Sequence, residues 1–485
     1  MELKQSHRRT FIKGSVSTLA LTTLPGGVAH AQTVRVRPEW QEFRTSANYT
    51  PFVNAIRTMR ANTNANDRGS WSFWVNAHQN NCPHSIPYFF AWHRGFVYYF
   101  EQQLRAITGN NTFMLPYWDY YRFPNMPSEF TTPTTGNPLF VNRVNTNVAS
   151  ALTLSPFPLT NFQRGTPNAF EASFEPAPHG QVHNLIGGTM ASLQSPTDPI
   201  FWLHHGQVDR LVHAWVLSGG KQYPGPADGY WSGMLTYSSN LTIARAAVYN
   251  PANLGYTYQD NTLPRSVPPQ GAAGGMMRAT MQGKGKPLAM RVQWQPAPGR
   301  PPAANFPLTA PRPTSDSTRS VGGAQAITLG ETSVSAQVPL AEPDAQAMES
   351  LARSTKASTV PPRGSARGFT SAQVVLDNVR VTEAGQFGGY FYEVYLNLPA
   401  NRDWSINQDA YLVGSFGAFE VSSALHHGQP ARLVFPATQL LQNFTDDQIK
   451  QLTVSFVRVN GETAPKGAAI LVGEMRFELS TKNAE

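Results

Sequence analysis

The most informative stretch of this 485-residue chain lies near its middle and reads Asp198-Pro-Ile-Phe-Trp-Leu-His-His-Gly-Gln-Val-Asp209. On a helix, the spacing of four residues places His205 and Asp209 on one face. The adjacent His204 then points about a quarter of a turn away. We therefore interpret His205 as a site residue and His204 as a residue beside the site or on its substrate side, and the reverse assignment stays open.

Two further histidines precede this stretch and belong to the same group. His179 and His183 are four residues apart, so they are neighbours on one helix face. Together with His205 they form a triplet of imidazoles that can converge on a metal ion. A lone histidine is usually a core or surface residue, and it is the grouping that points to a metal.

A second triplet lies upstream and consists of His78, His84 and His93. His78 shares a helix face with aromatic residues, and His84 lies in a loop flanked by proline. His93 begins a helix face that also carries Glu101, so an imidazole and a carboxylate both face an apolar interior. We therefore predict that Glu101 lies just outside the metal ligands and orients the imidazole of His93.

The donor set narrows the identity of the metal. A zinc site needs only three or four ligands and more often includes a cysteine or a carboxylate. Two groups of three imidazoles suit copper instead, because copper lies at the top of the divalent affinity series and accepts nitrogen ligands in both redox states. The sequence therefore predicts two copper ions per chain.

Three separated motifs carry a resemblance to a known family. They are Phe90-Ala-Trp-His93-Arg-Gly-Phe, Leu115-Pro-Tyr-Trp-Asp119, and the stretch from Asp198 to Asp209. They resemble the copper-binding signatures of the tyrosinase and polyphenol oxidase (catechol oxidase) family of type-3 dicopper proteins. The resemblance implies a mainly α catalytic domain with a four-helix-bundle core around a binuclear copper centre. One copper would bind His78, His84 and His93, and the other His179, His183 and His205.

The resemblance also assigns roles beside the ligands. Some family members join a cysteine to a histidine ligand by a thioether, and Cys82 stands two residues before His84. An inert buried thiol is the alternative. Plant-like members carry a glutamate shortly before the ligand that matches His179, where it holds a water, so Glu175 is a candidate to assist phenol deprotonation. A charge facing a helix N-terminus is the other interpretation of Glu175.

Four more residues complete the predicted site. Gly180 and Asn184 directly follow two of the ligands and are candidates for the catalytic site. Many strong monophenol hydroxylases carry asparagine where this chain has Gly180, which favours diphenol oxidation here. Asp119 and Asp209 join Glu101 and His204 as residues expected to support the ligands from behind.

The composition changes along the chain and predicts two domains. Residues 32–294 show aromatic-rich helical patterns, residues 295–320 form a Pro-rich linker, and residues 321–485 alternate with period two and predict a β-sandwich. The segment from Asp344 to Lys356 reads as helical or disordered. The resemblance implies that such a tail covers the copper site of a latent enzyme with one bulky side chain, whose identity the sequence does not reveal. His426 and His427 read as surface residues.

The first 31 residues resemble a twin-arginine export signal. Arg8-Arg9-Thr-Phe-Ile-Lys13 is followed by a mild apolar stretch that is too short and too polar for a membrane anchor. We therefore expect a periplasmic or extracellular protein with no membrane contact after cleavage. Cys82 is the one cysteine, so no intramolecular disulfide forms. The net charge of +8 is scattered, which disfavours nucleic acid as a partner.

The predicted reaction is the copper-dependent oxidation of o-diphenols to o-quinones with O2, with monophenol o-hydroxylation as a second activity. The partners are thus a small phenol and O2, and the oligomeric state stays open. Two alternatives use the same histidines: a haemocyanin-like O2 carrier without catalysis, and an o-aminophenol oxidase. Access of a phenol to the coppers separates an enzyme from a carrier.

Overall fold

A computed structural model describes residues 34–268, 314–315, 317–356, 368–399, 408–425 and 430–482. The predicted signal peptide, most of the predicted linker, His426 and His427 lie outside these residues. Among the helices of the described ranges, none has the length and apolar character needed to cross a membrane.

The N-terminal domain is mainly helical, as the sequence predicts. Its helices are α1 (Trp40–Phe43), α2 (Tyr49–Ala61), α3 (Trp71–Asn81), α4 (Phe89–Thr108), α5 (Ser128–Thr131), α6 (Phe170–Phe174), α7 (Gln181–Ile186) and α8 (Ile200–Leu217). Its strands are short: β1 (Arg35–Arg37) pairs in parallel with β4 (Tyr256–Tyr258), and β2 (Met234–Ser238) forms an antiparallel hairpin with β3 (Leu241–Ala244).

Four of these helices form the core predicted from the histidine spacing. Helices α3, α4, α7 and α8 each carry at least one of the six histidines. Helix α8 is buried on all sides from Ile200 to Val212, as expected of a central helix that is apolar around its circumference. Phe100 of α4 stacks on Trp202 of α8 at 3.5 Å between ring centroids. Large aromatic contacts of this kind fix the spacing between the helices.

In the described residues, the C-terminal domain is an antiparallel β-sandwich with four α-helices. Its strands are β5 (Thr314–Ser315), β6 (Thr318–Leu329), β7 (Val334–Gln337), β8 (Ser371–Val381), β9 (Tyr390–Leu396), β10 (Leu412–Phe416), β11 (Ala431–Pro436), β12 (Thr453–Asn460) and β13 (Ile470–Ser480). The sheet orders are β10-β9-β12-β7 and β11-β8-β13-β6-β5. The helices are α9 (Glu342–Lys356), α10 (Ala418–Leu425), α11 (Thr438–Leu441) and α12 (Asp446–Lys450).

Two details differ from or sharpen the sequence prediction. Strands β5 and β6 begin at Thr314 and Thr318, inside the stretch assigned to the linker. The proline-rich composition ends at Pro313, and the Thr- and Ser-containing segment that follows has a free amide at every position for sheet pairing. The segment that read as helical or disordered is helix α9.

The two domains meet through backbone and amide contacts around α7. Asn145 donates from Nδ2 to the carbonyl of Thr463 at 2.9 Å and accepts from the amide of Thr463 at 2.6 Å. The amide of Gly389 donates to the carbonyl of Asn184 at 2.7 Å. The sandwich is thereby held directly over the helix that carries His183.

Candidate metal centre

The first histidine group is assembled from a helix end, a loop and a second helix. His78 lies in the last turn of α3, which ends at Asn81; Cys82 and His84 follow in the loop, and His93 lies in the first turns of α4. One ligand atom from each of the four lies within 4.8 Å of those of the others, and all four residues are buried. The structure therefore brings together the three upstream histidines.

The second group is assembled from a turn and two helices. His179 lies in the segment Glu175–Gly180, which is kinked at Ala177. His183 lies on α7, and His204 and His205 lie on α8. Their ligand atoms also lie within 4.8 Å of one another, and all four are buried. This group contains the three downstream histidines together with His204.

Backbone carbonyls orient four of the imidazoles. Each carbonyl lies 2.8–2.9 Å from an Nδ1 atom, which therefore carries the proton and leaves the Nε2 lone pair free to bind a metal. The pairs are His78 with Leu193, His93 with Phe89, His179 with Glu175, and His183 with Met190.

The two groups face each other across a buried interior. The rings of His93 and His205, one from each group, stack at 4.2 Å. Within the second group, Nε2 of His183 lies 3.4 Å from Nε2 of His205. Burial and the neighbouring imidazoles hold the pKa of His93, His183 and His205 well below the usual value, and burial lowers the pKa of His179 to about 3. The rings are therefore neutral, as metal ligands must be.

An orphaned nitrogen tests the fit of a metal ion. Nε2 of His179 is buried, and no hydrogen-bond partner for it exists among the described residues. A buried polar atom without a partner costs about 1–3 kcal/mol of folding free energy. A cation stabilises buried nitrogen lone pairs that point toward one another. The all-nitrogen donor set suits copper. The residues therefore fit the binuclear copper centre that the sequence predicts.

His204 and His205 occupy different sides of the second group. The ring of His205 stacks on His93 of the first group, whereas His204 packs at 5.7 Å on Tyr120, away from it. Neither ring nitrogen of His204 has a hydrogen-bond partner in the described part of the chain. The position of His205 between the groups favours it as the ligand, and the assignment stays a prediction.

The three carboxylates expected to support the ligands are buried and bonded to other groups. The hydrogen bonds of Glu101, Asp119 and Asp209 go to arginine, glutamine and tyrosine side chains and to a backbone amide. Buried guanidinium groups need carboxylate partners, and the expected role of these carboxylates in supporting the ligands stays a prediction. The donors are Arg37, Arg105 and Leu115 N to Glu101, Gln207 to Asp119, and Arg94, Tyr256 and Tyr258 to Asp209.

Cys82 and Glu175 both lie at the centre. The Sγ atom of Cys82 lies 3.6 Å from Nε2 of His84 and 3.3 Å from Nε2 of His93. Glu175 accepts from the amide of Ser85 at 2.6 Å and from Arg164 Nη2 at 2.5 Å. Burial raises the pKa of Glu175, and the Arg164 guanidinium acts against that shift.

The tail places an aromatic ring against the histidines. Phe419, the second residue of α10, stacks on His183 with 4.1 Å between ring centroids and 14° between ring planes. Its edge faces His84 at 5.3 Å and His179 at 5.6 Å. Phe419 is the bulky side chain that the sequence could not identify, because nothing in its local pattern distinguishes it from a core phenylalanine.

The neighbour of Phe419 binds the residues that follow two of the histidines. Glu420 accepts from Asn184 Nδ2 and from the amide of Gly417, each at 2.7 Å. A Cβ atom on Gly180 would overlap Oε1 of Glu420, so the absence of a side chain there makes room for the carboxylate. Burial raises the pKa of Glu420 to about 7, and these hydrogen bonds act against the shift. Gly180 and Asn184 thus lie beside Glu420, and their place in a catalytic site stays a prediction.

Comparison with known proteins agrees with this geometry. The common central domain of tyrosinase matches residues 48–157 and 137–217. The matched range includes all six histidines, from His78 to His205. A tyrosinase of Hahella sp. is 28% identical over 279 residues, which are 47% of this chain and 58% of that protein. A chloroplastic polyphenol oxidase of Malus domestica is 29% identical over 230 residues, 37% of this chain and 39% of that protein.

The fold of the whole chain also has a counterpart. The structure of latent apple tyrosinase aligns with 95% of this chain and 99% of its own, with a TM-score of 0.52 and 18% sequence identity. The helical domain followed by a sandwich is therefore also the fold of latent apple tyrosinase, which confirms the predicted fold class. The chain spans about half the length of the curated relatives that it matches.

Substitution of the two adjacent histidines tests the ligand assignment. We expect His205→Gln to lower the copper content of the full-length protein from two ions per chain to about one, because an amide is a poor substitute for an imidazole nitrogen. His204→Gln is the matched control and should retain two. Metal analysis of the purified variants measures this, with circular dichroism to verify folding. Loss of copper from His204→Gln together with full loading of His205→Gln would reverse the assignment.

Proposed function

We propose that this chain is a copper-dependent phenol oxidase that converts o-diphenols to o-quinones with O2 and is held latent by its C-terminal domain. The observation that carries the proposal is the position of the Phe419 ring. A flat aromatic ring stacks on His183 and touches both histidine groups, so the centre has room for an aromatic substrate.

The protein residues have separate tasks in this reaction. When bound, the coppers supply the two-electron exchange between a diphenol and O2. His183 offers its ring face to the substrate ring. Glu175 lies in the groove that also reaches His84 and Phe419, and it is the carboxylate placed to take the phenol proton, directly or through a water. Arg164 stabilises its charged form.

Diphenol oxidation is the activity that we favour over monophenol hydroxylation. Gly180 brings no polar side chain to the centre beside His179, so Glu175 has no amide partner at that position for holding a water. A monophenol must lose its only hydroxyl proton before it can bind, and it depends most on such a partner. An o-diphenol has two hydroxyl groups and depends less on such a partner.

Export and crosslinking complete the proposal. We propose that residues 1–31 direct export by the twin-arginine route; export of an Arg8→Lys/Arg9→Lys variant at the normal level would contradict this.

We also propose that Cys82 forms a thioether with His84, in which an S–C bond replaces an S–H and a C–H bond while O2 takes two electrons and two protons. Peptide mass mapping of the copper-loaded protein should then show a loss of about 2 Da that Cys82→Ser lacks.

Removal of the inserted ring tests the enzyme and its latency together. We expect Phe419→Ala to raise catechol turnover by the full-length, copper-loaded protein at least tenfold, because the ring no longer competes with substrate for His183. Phe387→Ala is the matched control, since that side chain is 60% exposed and lies in the same domain. Quinone formation and O2 uptake are followed together.

The outcomes separate the alternatives. Quinone formation in proportion to O2 uptake supports the oxidase. Reversible O2 binding by the two-copper Phe419→Ala protein, without turnover of catechol, would support a carrier and contradict the proposal. Turnover of o-aminophenol in preference to catechol would contradict the diphenol assignment.

A further inference from the structure

Two residues of the loop after His84 have a backbone conformation that their side chains do not favour. Ser85 and Tyr88 lie in the left-handed region, with φ of 58° and 79°. This region is unfavourable for most residues other than glycine, so contacts with the rest of the structure must hold it. The loop joins His84 to helix α4, which carries His93. Its conformation therefore affects the direction of two of the three imidazoles in the first group.

Two carboxylates one helical turn apart hold the amides of these two residues. Ser85 donates from its amide to Oε1 of Glu175 at 2.6 Å, and Tyr88 donates from its amide to Oε1 of Glu171 at 2.9 Å. Glu171 lies on α6 and is fully buried, and Glu175 follows it by four residues. An amide hydrogen bond to a carboxylate is stronger than one to a neutral acceptor, so each bond supports a left-handed residue.

Arg164 joins the two carboxylates. Its amide donates to Oε2 of Glu171 at 3.2 Å, and its Nη2 donates to Oε2 of Glu175 at 2.5 Å. Tyr230 donates from its hydroxyl to Oε1 of Glu171 at 3.0 Å. The Tyr88 amide, the Arg164 amide and the Tyr230 hydroxyl all donate to Glu171, so a carboxylate satisfies all three and a carboxamide does not. We call Glu171, Glu175 and Arg164 the carboxylate brace.

The carboxylate brace reaches both histidine groups. The carbonyl of Glu175 lies 2.9 Å from Nδ1 of His179 in the second group, and its side chain holds the residue after His84 in the first group. The rings of His84 and His179 stack at 6.4 Å, with 22° between their planes. Glu175 therefore couples the position of one imidazole to that of the other. Glu171 lies further out and acts through Tyr88 and Arg164.

We propose that Glu171 is a positioning residue that sets the separation of the two histidine groups, through the amide of Tyr88 and through Arg164. It keeps the loop after His84 in its left-handed conformation and keeps Glu175 in place between the groups. The inference about the histidine groups holds whether or not the centre oxidises phenols. Only its consequence for proton removal by Glu175 rests on the proposed function.

Glu171→Gln in the full-length, copper-loaded protein tests the proposal. The carboxamide can accept from the Tyr88 amide but cannot at the same time accept from the Arg164 amide, so the brace is released on one side. Glu39→Gln is the matched control, because Glu39 is a buried carboxylate of the same domain that accepts from the amide of Gln41 at 2.6 Å. Circular dichroism and thermal unfolding verify that each variant folds.

Two measurements report on the separation of the groups without turnover. Two cupric ions held close together couple magnetically and give no EPR signal, whereas a lone or displaced ion does. We expect Glu171→Gln to raise the EPR-detectable fraction of the copper severalfold and to release one of its two coppers to a chelator about tenfold faster than the wild type. Glu39→Gln should match the wild type in both measurements.

Hydrogen exchange distinguishes positioning from a general loss of stability. In Glu171→Gln, exchange should rise in the peptide that contains Ser85 and Tyr88 and stay at the wild-type rate in α8. A folded Glu171→Gln protein with wild-type EPR and copper release would overturn the inference, and so would equal changes in Glu39→Gln. If Glu171→Gln does not fold, Arg164→Met breaks the bond to Glu175 and is judged by the same outcomes. None of these measurements uses a phenol, so the proposed function can fail without this inference.

Discussion

The structure depends on turning six imidazoles toward two sites inside a buried core. Nε2 of His179 has no hydrogen-bond partner among the described residues, and a buried nitrogen of this kind costs folding free energy unless a metal binds it. In four of the rings the opposite nitrogen, Nδ1, donates a hydrogen bond to a backbone carbonyl. A carbonyl within a helix or a tight turn moves little, so each ring keeps its direction. Aromatic packing between α4 and α8 then fixes the distance between the two groups.

The same constraint explains how the tail closes the site. A centre built of aromatic rings and neutral imidazoles offers few hydrogen bonds, so an inhibitory side chain gains most by stacking, as Phe419 does on His183. Stacking alone does not fix the position of the Phe419 ring. The hydrogen bonds that Asn184 makes with the Glu420 carboxylate and with the Phe419 amide fix it. Asn184 therefore binds both the carboxylate of Glu420 and the amide of Phe419.

Sequence patterns revealed the parts of the molecule whose signals are local. The four-residue spacing of His179 and His183, and the motif ending in His205 and Asp209, predicted the helices and the site. The sandwich after residue 320 followed from the period-two alternation of the sequence. Contacts between distant residues were not readable: Asn184 and Glu420 are 236 positions apart. The partners of Glu101 and Asp209 were missed for the same reason, because Arg37, Tyr256 and Tyr258 come from strands β1 and β4.

Anomalous diffraction at the copper edge, on crystals of the copper-loaded full-length protein, tests the central claim most directly. The account predicts two copper peaks, one surrounded by His78, His84 and His93 and the other by His179, His183 and His205, with Phe419 stacked beside them on His183. A single peak, or a second copper held by His204 while His205 turns away, would contradict it.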